Sequence, residues 1–518
     1  MQSKECRELT LKPHQLEHFA RIMDISEKHD YYMDFSRMGT GKTFITSKVG
    51  EVRELQLAVI CPVSAMDAWK KMEQYGIKII FIVSYQSLRG TDKYPPKHGY
   101  LTRETEIKMD KRGNETKKVI FTPTDEFIDL VRQGILLVFD EGQSIKNTSD
   151  QGKAARALSS AITHPSKCAF ISGSPYDKEE HSENILRFLN VLKQKRLVWN
   201  NPLTGEQVPK GILDVVMYCK ELDNPRTMDI IQEHIGYNGQ LSMSASKARS
   251  LCHKLFTDII KDHLYSEMMP EDCKYPIHME ESYLFLDEDK VTELANAIQD
   301  LAQATRFNGR DVDTDKIEWG AVTLALKGIE LVMLDSLTKF AMNILNEKRT
   351  DGKVNKVIIS VSFLDSIKEL MSSLGVFNPL FIDGSVKADD RTKRVALFNT
   401  DPKHRVLIST IKTGGISISL HDTVGDSPRH MLLIPTYSLI DIYQASGRIH
   451  RTGLMSDAYF YMIYGTNPKT KYRKEAEIKV TPILSALSRK KDVLKGLITK
   501  QSMVYKLPGE FPHKLYEM

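Results

Sequence analysis

Three stretches of this chain bring together residue types that can handle a phosphate. "FSRMGTGKTFIT" supplies Gly39, Thr40, Gly41, Lys42 and Thr43. Glycines let backbone N–H groups close around phosphate oxygens. A lysine at this spacing reaches the β- and γ-phosphates, and a threonine at a helix N-terminus can hold Mg2+. Against the pattern G-x-x-x-x-G-K-[ST] there is one departure, because Ser36 stands where the first glycine would be. "ILLVFDEGQSIKN" runs an apolar strand into Asp140 and Glu141. A carboxylate there can hold Mg2+, and its neighbour can orient or deprotonate an attacking water. "YQASGRIHRTG" holds Gln444, Arg448 and Arg451. If that stretch is helical, at about 100° per residue the three fall within roughly 60° of one another. Arginines at such spacing ordinarily form a solvated face, so this stripe acquires a purpose only if a phosphate site exists elsewhere in the chain.

The elements that must carry these residues show in the hydrophobic pattern. "LAVICPV", "IIFIVSY", "ILLVFDE" and "CAFISGS" are short apolar runs ending in small or polar residues. They read as strands buried on both faces of a parallel sheet, with Asp140 and Glu141 at the C-terminal edge where open α/β sheets bind ligands. From about 354 to 464, "KVIISVS", "PLFIDGS", "RVLISTI", "HMLLIP" and "AYFYMIYG" repeat the style. The expectation is an α/β chain with two lobes of five or more parallel strands each. Residues 1–192 would form the first lobe, 193–325 a mostly helical bridge, 326–480 the second lobe and 481–518 a basic terminal segment. "YLTRETEIKMDKRGNETKKVIFTP" predicts a hairpin inserted in the first lobe.

Taken together and in order, these stretches resemble the superfamily 2 helicase-type ATPases, and within them the Swi/Snf-type DNA translocases. "LTLKPHQLEHF" is similar to the segment whose glutamine, here Gln15, reads the adenine. "VICPVSAMDAW" resembles "CPxSxxxxW", "DEGQSIKN" resembles "DEAHxIKN", and "ISGSPYDK" resembles "TGTPxxN". "VSYQSL" is similar to the family's next strand-end motif. In the second lobe "FIDGSVKADDRTKRVALFN", "LISTIKTGGISISL" and "YQASGRIHRTG" are similar to the corresponding family motifs, the last to "QxxGRxHRxGQ". Gly142 and Gln143 replace the usual Ala and His, and Ser172 and Ser174 replace two threonines. The tryptophan-bearing segment usual before the last motif is missing. Such compact, divergent versions resemble proteins of large DNA viruses and phages.

The resemblance implies two RecA-like lobes and the cofactors ATP and Mg2+. Gln15, Gly39, Thr40, Gly41, Lys42, Thr43, Asp140 and Gly415 would bind the nucleotide, with Thr43 and Asp140 on the metal. Glu141 would serve the attacking water, Gln143 would relay the state of the γ-phosphate, and Arg448 and Arg451, supported by Gln444, would meet the developing charge. Ser64 and Thr410 would touch nucleic-acid phosphates, which position a strand without reading its sequence. The implied activity is ATP hydrolysis driving movement on double-stranded DNA. Two rivals are a strand-separating helicase on DNA or RNA, and a non-catalytic binding protein with a degenerate ATPase fold.

Composition bounds these readings without choosing among them. The chain has 518 residues and a net charge of +5, yet from Thr466 to Met518 there are 12 Lys or Arg against 5 Asp or Glu, which leaves 5 − 7 = −2 for the rest. A basic end suits phosphate contact or simple solvation. Six scattered cysteines without C-x-x-C spacing fit reduced thiols, and no run is long enough to span a membrane. The sequence thus predicts a soluble intracellular protein with nucleic acid as its partner.

Overall fold

The computed structural model describes residues 7–36, 39–109, 115–145, 147–173, 179–201, 207–233, 244–267, 274–309, 312–313, 316–411, 418–437, 439–466 and 483. The chain divides into two compact units, at 269/270. Gly415 and, apart from Ile483, the basic segment 481–518 lie outside the described residues.

The first unit contains β1 (Tyr31–Asp34), β2 (Gln56–Cys61), β3 (Ile79–Ser84), β4 (Leu101–Met109), β5 (Glu115–Pro123), β6 (Ile135–Asp140), β7 (Lys167–Ile171), β8 (Val198–Asn200), β9 (Gln207–Pro209) and β10 (Tyr265–Ser266). Six of them form one sheet in the order β10-β1-β7-β6-β2-β3, with every pairing parallel. Alternate residues of each strand feed the two sides. Ala58, Ile60, Leu137 and Phe139 enter one core, while Leu57, Val59, Leu136 and Val138 enter the other. That double burial is why the strands read as unbroken apolar runs rather than as alternating ones.

The helices that carry the site precede β1 or follow β1, β2 and β3. They are α1 (Pro13–Lys28), α2 (Lys42–Val52), α3 (Met66–Lys70) and α4 (Tyr85–Arg89). The expected hairpin is present as antiparallel β4 and β5, in register Leu101↔Pro123. Its base is anchored by buried Leu101 and by Tyr100 stacked on Phe81, with centroids 4.2 Å apart.

The second unit holds β11 (Ile277–Phe285), β12 (Lys356–Val361), β13 (Leu380–Ile382), β14 (Val406–Thr410), β15 (Arg429–Leu433) and β16 (Ala458–Thr466). Their order is β11-β16-β15-β12-β14-β13, again wholly parallel. Val357, Ile359 and Val361 face one core, and Ile358 faces the other. Each unit is therefore a RecA-like α/β lobe, as the apolar runs predict.

The stretch 193–325, expected to be a helical bridge, is instead shared between the units. Leu197, Ile212, Val215, Leu251 and Leu255 belong to a core of the first, and β10 joins the first sheet beside β1. Residues 277–285 form the edge strand of the second sheet, and the helix Glu288–Ala304 packs Leu294, Ile298 and Leu301 into the second core. The helices keep their charged faces outward and lay their apolar faces on a sheet. Among the described residues, no helix is long and apolar enough to cross a membrane.

Candidate functional site

In the first unit the chain leaves β1, turns at Ser36, and re-enters regular structure at Lys42, the first residue of α2. Gly39 and Gly41 have φ of 80° and 92°, a left-handed geometry that a side chain would strain. A Cβ on Gly41 would also lie 2.3 Å from Gln15 Nε2. Gln15 lies against this loop because its side chain is committed there: Nε2 donates to Thr40 O at 3.0 Å, and Oε1 accepts Lys12 N at 2.9 Å. The Lys42 ammonium donates to Ser36 O at 2.7 Å. Thr43 stands in the first turn of α2, where free N–H groups and the helix dipole favour an anion.

Beneath the loop is a buried cluster that the sequence analysis did not pick out. Asp34, at the end of β1, accepts Ser36 N on Oδ1 at 2.9 Å and pairs with His18 Nε2 at 3.2 Å. His18 Nδ1 is 2.8 Å from Ser266 Oγ, on a strand more than two hundred residues away in sequence. Burial alone would raise the Asp34 carboxyl, but His18 and the Lys42 charge hold it below its ordinary value.

Asp140 ends β6. Its Oδ1 accepts Glu141 N and its Oδ2 accepts Trp69 Nε1, both at 2.9 Å, and Tyr85 Oη donates to its backbone carbonyl at 2.8 Å. Burial and the adjacent Glu141 charge push its pKa up to about 6, against the pull of Trp69 and Lys42. Glu141 adopts φ +53°, and its Oε2 accepts Gln143 Nε2 at 2.7 Å. The other end of that amide accepts Ser172 Oγ at 2.6 Å. Gln143 and Ser172, both departures from the family pattern, therefore form one continuous hydrogen-bonded run with Glu141.

Asp140 and Thr43 present hard oxygen donors, the ligand type Mg2+ prefers. No cluster of three or more metal-ligating His, Cys, Asp or Glu occurs among the described residues. Ser64, in the turn Val63–Ala65, has its hydroxyl oxygen shielded from solvent. Trp69 is fully buried and is also a hydrogen-bond donor to Asp140. Cys61 is a buried thiol whose pKa is raised by that burial.

In the second unit the helix Leu439–Ile449 carries Gln444 and Arg448. It ends before Arg451, so the three residues do not share one helical stripe, which corrects the expectation from spacing. The guanidinium groups still converge. Arg448 Nη1 donates to Ile418 O at 3.2 Å, and Arg451 Nη1 donates to the same carbonyl at 3.4 Å and to Ser419 Oγ. Arg448 is 1% exposed and Gln444 7%, whereas Arg451 is only half-buried. His450 Nε2 lies 3.2 Å from Tyr275 O. Thr410 closes β14 and is half-buried.

A family model described as the helicase conserved C-terminal domain matches residues 336–453, the stretch that includes Thr410, Gln444, Arg448 and Arg451. A protein of Acanthamoeba polyphaga mimivirus, named as a candidate ATP-dependent RNA helicase, is 23% identical over 500 residues. The alignment covers 92% of this chain and 83% of the relative. The second unit thus matches a helicase C-terminal domain, and over most of its length the chain is similar to a helicase-type protein. Among solved structures it is similar to a Sulfolobus solfataricus SWI2/SNF2 ATPase core in complex with double-stranded DNA, at 15% identity and a TM-score of 0.29, over 94% of this chain and 96% of that one. The C-terminal part of the Fun30 ATPase domain matches at 15% identity and a TM-score of 0.26, over 41% of this chain and 98% of that one. The two α/β lobes follow from the chain's own strand order and parallel pairing, not from those superpositions.

Within that family frame, the first unit gathers Gln15, Gly39, Thr40, Gly41, Lys42, Thr43, Asp140, Glu141 and Gln143 around the C-terminal ends of β1 and β6. His18, Asp34 and Tyr85 are the supporting side chains that sequence reasoning missed. His18 sits three residues after Gln15 in a segment already singled out, but nothing local signals that its partners are Asp34 and Ser266.

Proposed function

We propose that this helicase-type ATPase hydrolyses MgATP in response to nucleic acid and uses the cycle to translocate along double-stranded DNA. The observation that carries the reading is the run Ser172–Gln143–Glu141 beside Asp140, in the same unit as the Lys42 loop. Gln15 and the loop amides hold the nucleotide, and Lys42 moves from Ser36 O to a β/γ-phosphate oxygen. Mg2+ held by Asp140 and Thr43 would offset phosphate charge. Glu141, fixed by Gln143, orients the attacking water and accepts its proton. Arg448 and Arg451 stabilise charge developing on the γ-phosphoryl oxygens, a role typically worth about 10³–10⁵ in rate. The planar guanidinium fork suits that task better than a lysine would.

Support for duplex DNA comes from the Swi/Snf-type pattern of the motifs, in which Ser64 and Thr410 belong to segments that contact phosphates. A second reading, strand separation on RNA or DNA, is favoured by the name of the mimivirus relative. Hydrolysis assays with duplex DNA, single-stranded DNA and RNA, followed by triplex-displacement and duplex-unwinding assays, separate the two. Stimulation by duplex DNA with triplex displacement is expected. Duplex unwinding without triplex displacement would select the second reading, and no hydrolysis with any polymer would leave only a binding protein.

A further inference from the structure

Asp140 is tied to two segments that the proposed hydrolysis does not itself require. Its carboxylate is held in plane from both sides, by Glu141 N on Oδ1 and by the Trp69 indole on Oδ2. Neither oxygen can turn away without breaking a hydrogen bond. An indole N–H only donates, so Trp69 accepts no alternative proton arrangement and always presents the same edge to the carboxylate. Its own position is fixed, because the ring is fully buried among Val59, Cys61, Met72 and Val138. The Asp140 main chain is held separately by Tyr85 Oη, from a side chain only 1% exposed.

Both aromatics lie in strand-end segments with a family resemblance, "VICPVSAMDAW" and "VSYQSL", the first of which bears the candidate nucleic-acid contact Ser64. Trp69 lies on α3, which continues directly from the turn Val63–Ala65 holding Ser64. Tyr85 is the first residue of α4, whose N-cap Ser84 accepts Ser87 N at 3.1 Å. A shift of either turn therefore acts on Asp140 through one rigid ring and one hydrogen bond.

Resting on the proposed function, we infer that Trp69 is a positioning residue that sets the Asp140 carboxylate for Mg2+, and that Trp69 and Tyr85 together carry nucleic-acid binding at these turns to the metal site. A donor hydrogen-bonded to a metal-binding carboxylate typically governs metal affinity by about 10- to 100-fold. The coupling is short, with each segment one side chain away from Asp140.

The test measures binding of a fluorescent ADP to the full chain across a Mg2+ titration, in parallel with hydrolysis with and without nucleic acid. Trp69→Phe keeps a buried aromatic ring but removes the N–H donor together with part of the ring volume. It should raise the Mg2+ concentration for half-maximal ADP binding by about 10-fold or more, and should lower the ratio of stimulated to basal hydrolysis. Tyr85→Phe, which deletes a single oxygen, should shift both readouts in the same direction by about 2- to 10-fold. It also serves as the deciding variant if thermal unfolding shows Trp69→Phe to be misfolded. In an Asp140→Asn background, Trp69→Phe should add little further effect, because the two act as one unit. An unchanged Mg2+ requirement in folded Trp69→Phe and Tyr85→Phe overturns the positioning role. A shifted Mg2+ requirement with an unchanged stimulation ratio overturns the link to nucleic acid. If the wild type shows no Mg2+-dependent ADP binding, the proposed function itself fails and takes this inference with it.

Discussion

Gln143 stands where the family places a histidine, and its two hydrogen bonds set the size of the effect expected from Gln143→Ala. The amide donates to the Glu141 carboxylate at 2.7 Å and accepts from Ser172 at 2.6 Å. A hydrogen bond to a charged group is typically worth about 1.5–3 kcal/mol. If that energy serves to hold Glu141 for the attacking water, its loss raises the barrier by the same amount. At about 1.36 kcal/mol per decade, kcat should fall roughly 10- to 150-fold. KM for ATP should stay within about twofold, since the hydrogen bonds of Gln143 run to Glu141 and Ser172. Ser172→Ala removes the neutral bond to Gln143, of about 0.5–1.5 kcal/mol, so a loss of roughly 2- to 10-fold is expected through Gln143. The double variant should then resemble Gln143→Ala alone rather than the product of the two losses. Steady-state hydrolysis of the four proteins under saturating nucleic acid gives all the required numbers. Wild-type turnover in Gln143→Ala, or fully multiplicative losses in the double variant, would refute a Ser172–Gln143–Glu141 relay.

Other expectations follow from the same geometry. Arg451→Ala should retain ATP binding while hydrolysis falls by about 10² or more, whereas buried Arg448→Ala should also lower the unfolding temperature of the protein, because Arg448 is 1% exposed and bonded to Ile418 O. Nucleotide-binding titrations and thermal unfolding separate the two arginines. Gln15→Ala, which frees Thr40 O and Lys12 N, should weaken ATP binding by about 10-fold and narrow the preference for ATP over GTP in competition assays. Lys356 is buried at the start of β12 and donates to Phe398 O and Asp401 O; burial and nearby Arg429 push its pKa down to about 8. The folded state then releases this proton at lower pH than the unfolded state, where lysine titrates near ~10.4. The stability contributed by Lys356 must therefore rise between pH 8 and 10. Denaturant unfolding should show the wild type gaining on Lys356→Met across that window, and a constant difference between the two would refute it.

How much of the site could be read in the sequence depended on whether the signal was local. Strand runs such as "ILLVFD" announce themselves because both faces are buried, and Lys42, Asp140 and Glu141 follow at strand ends where a parallel sheet presents its ligands. β1 gave no such signal: "YYMD" is four residues long, and its neighbours β7 and β10 come from residues 168–171 and 265–266. The pairing that seats Asp34 against His18 and Ser266 is thus a product of the sheet order, which local periodicity does not encode. Spacing misled at Arg451 for a related reason. A stripe computed at about 100° per residue assumes the helix continues, but it ends at Ile449. What brings Arg448 and Arg451 together is a shared main-chain acceptor, Ile418 O, thirty and thirty-three residues upstream. Trp69 marks the boundary between the two cases. Its place in "VICPVSAMDAW" is visible in the sequence, yet its donor function appears only once β6 lies beside β2 and delivers Asp140 Oδ2 to the indole edge. The residues that do the chemistry were therefore legible from local sequence, and those that hold them in place became visible only through contacts between distant segments.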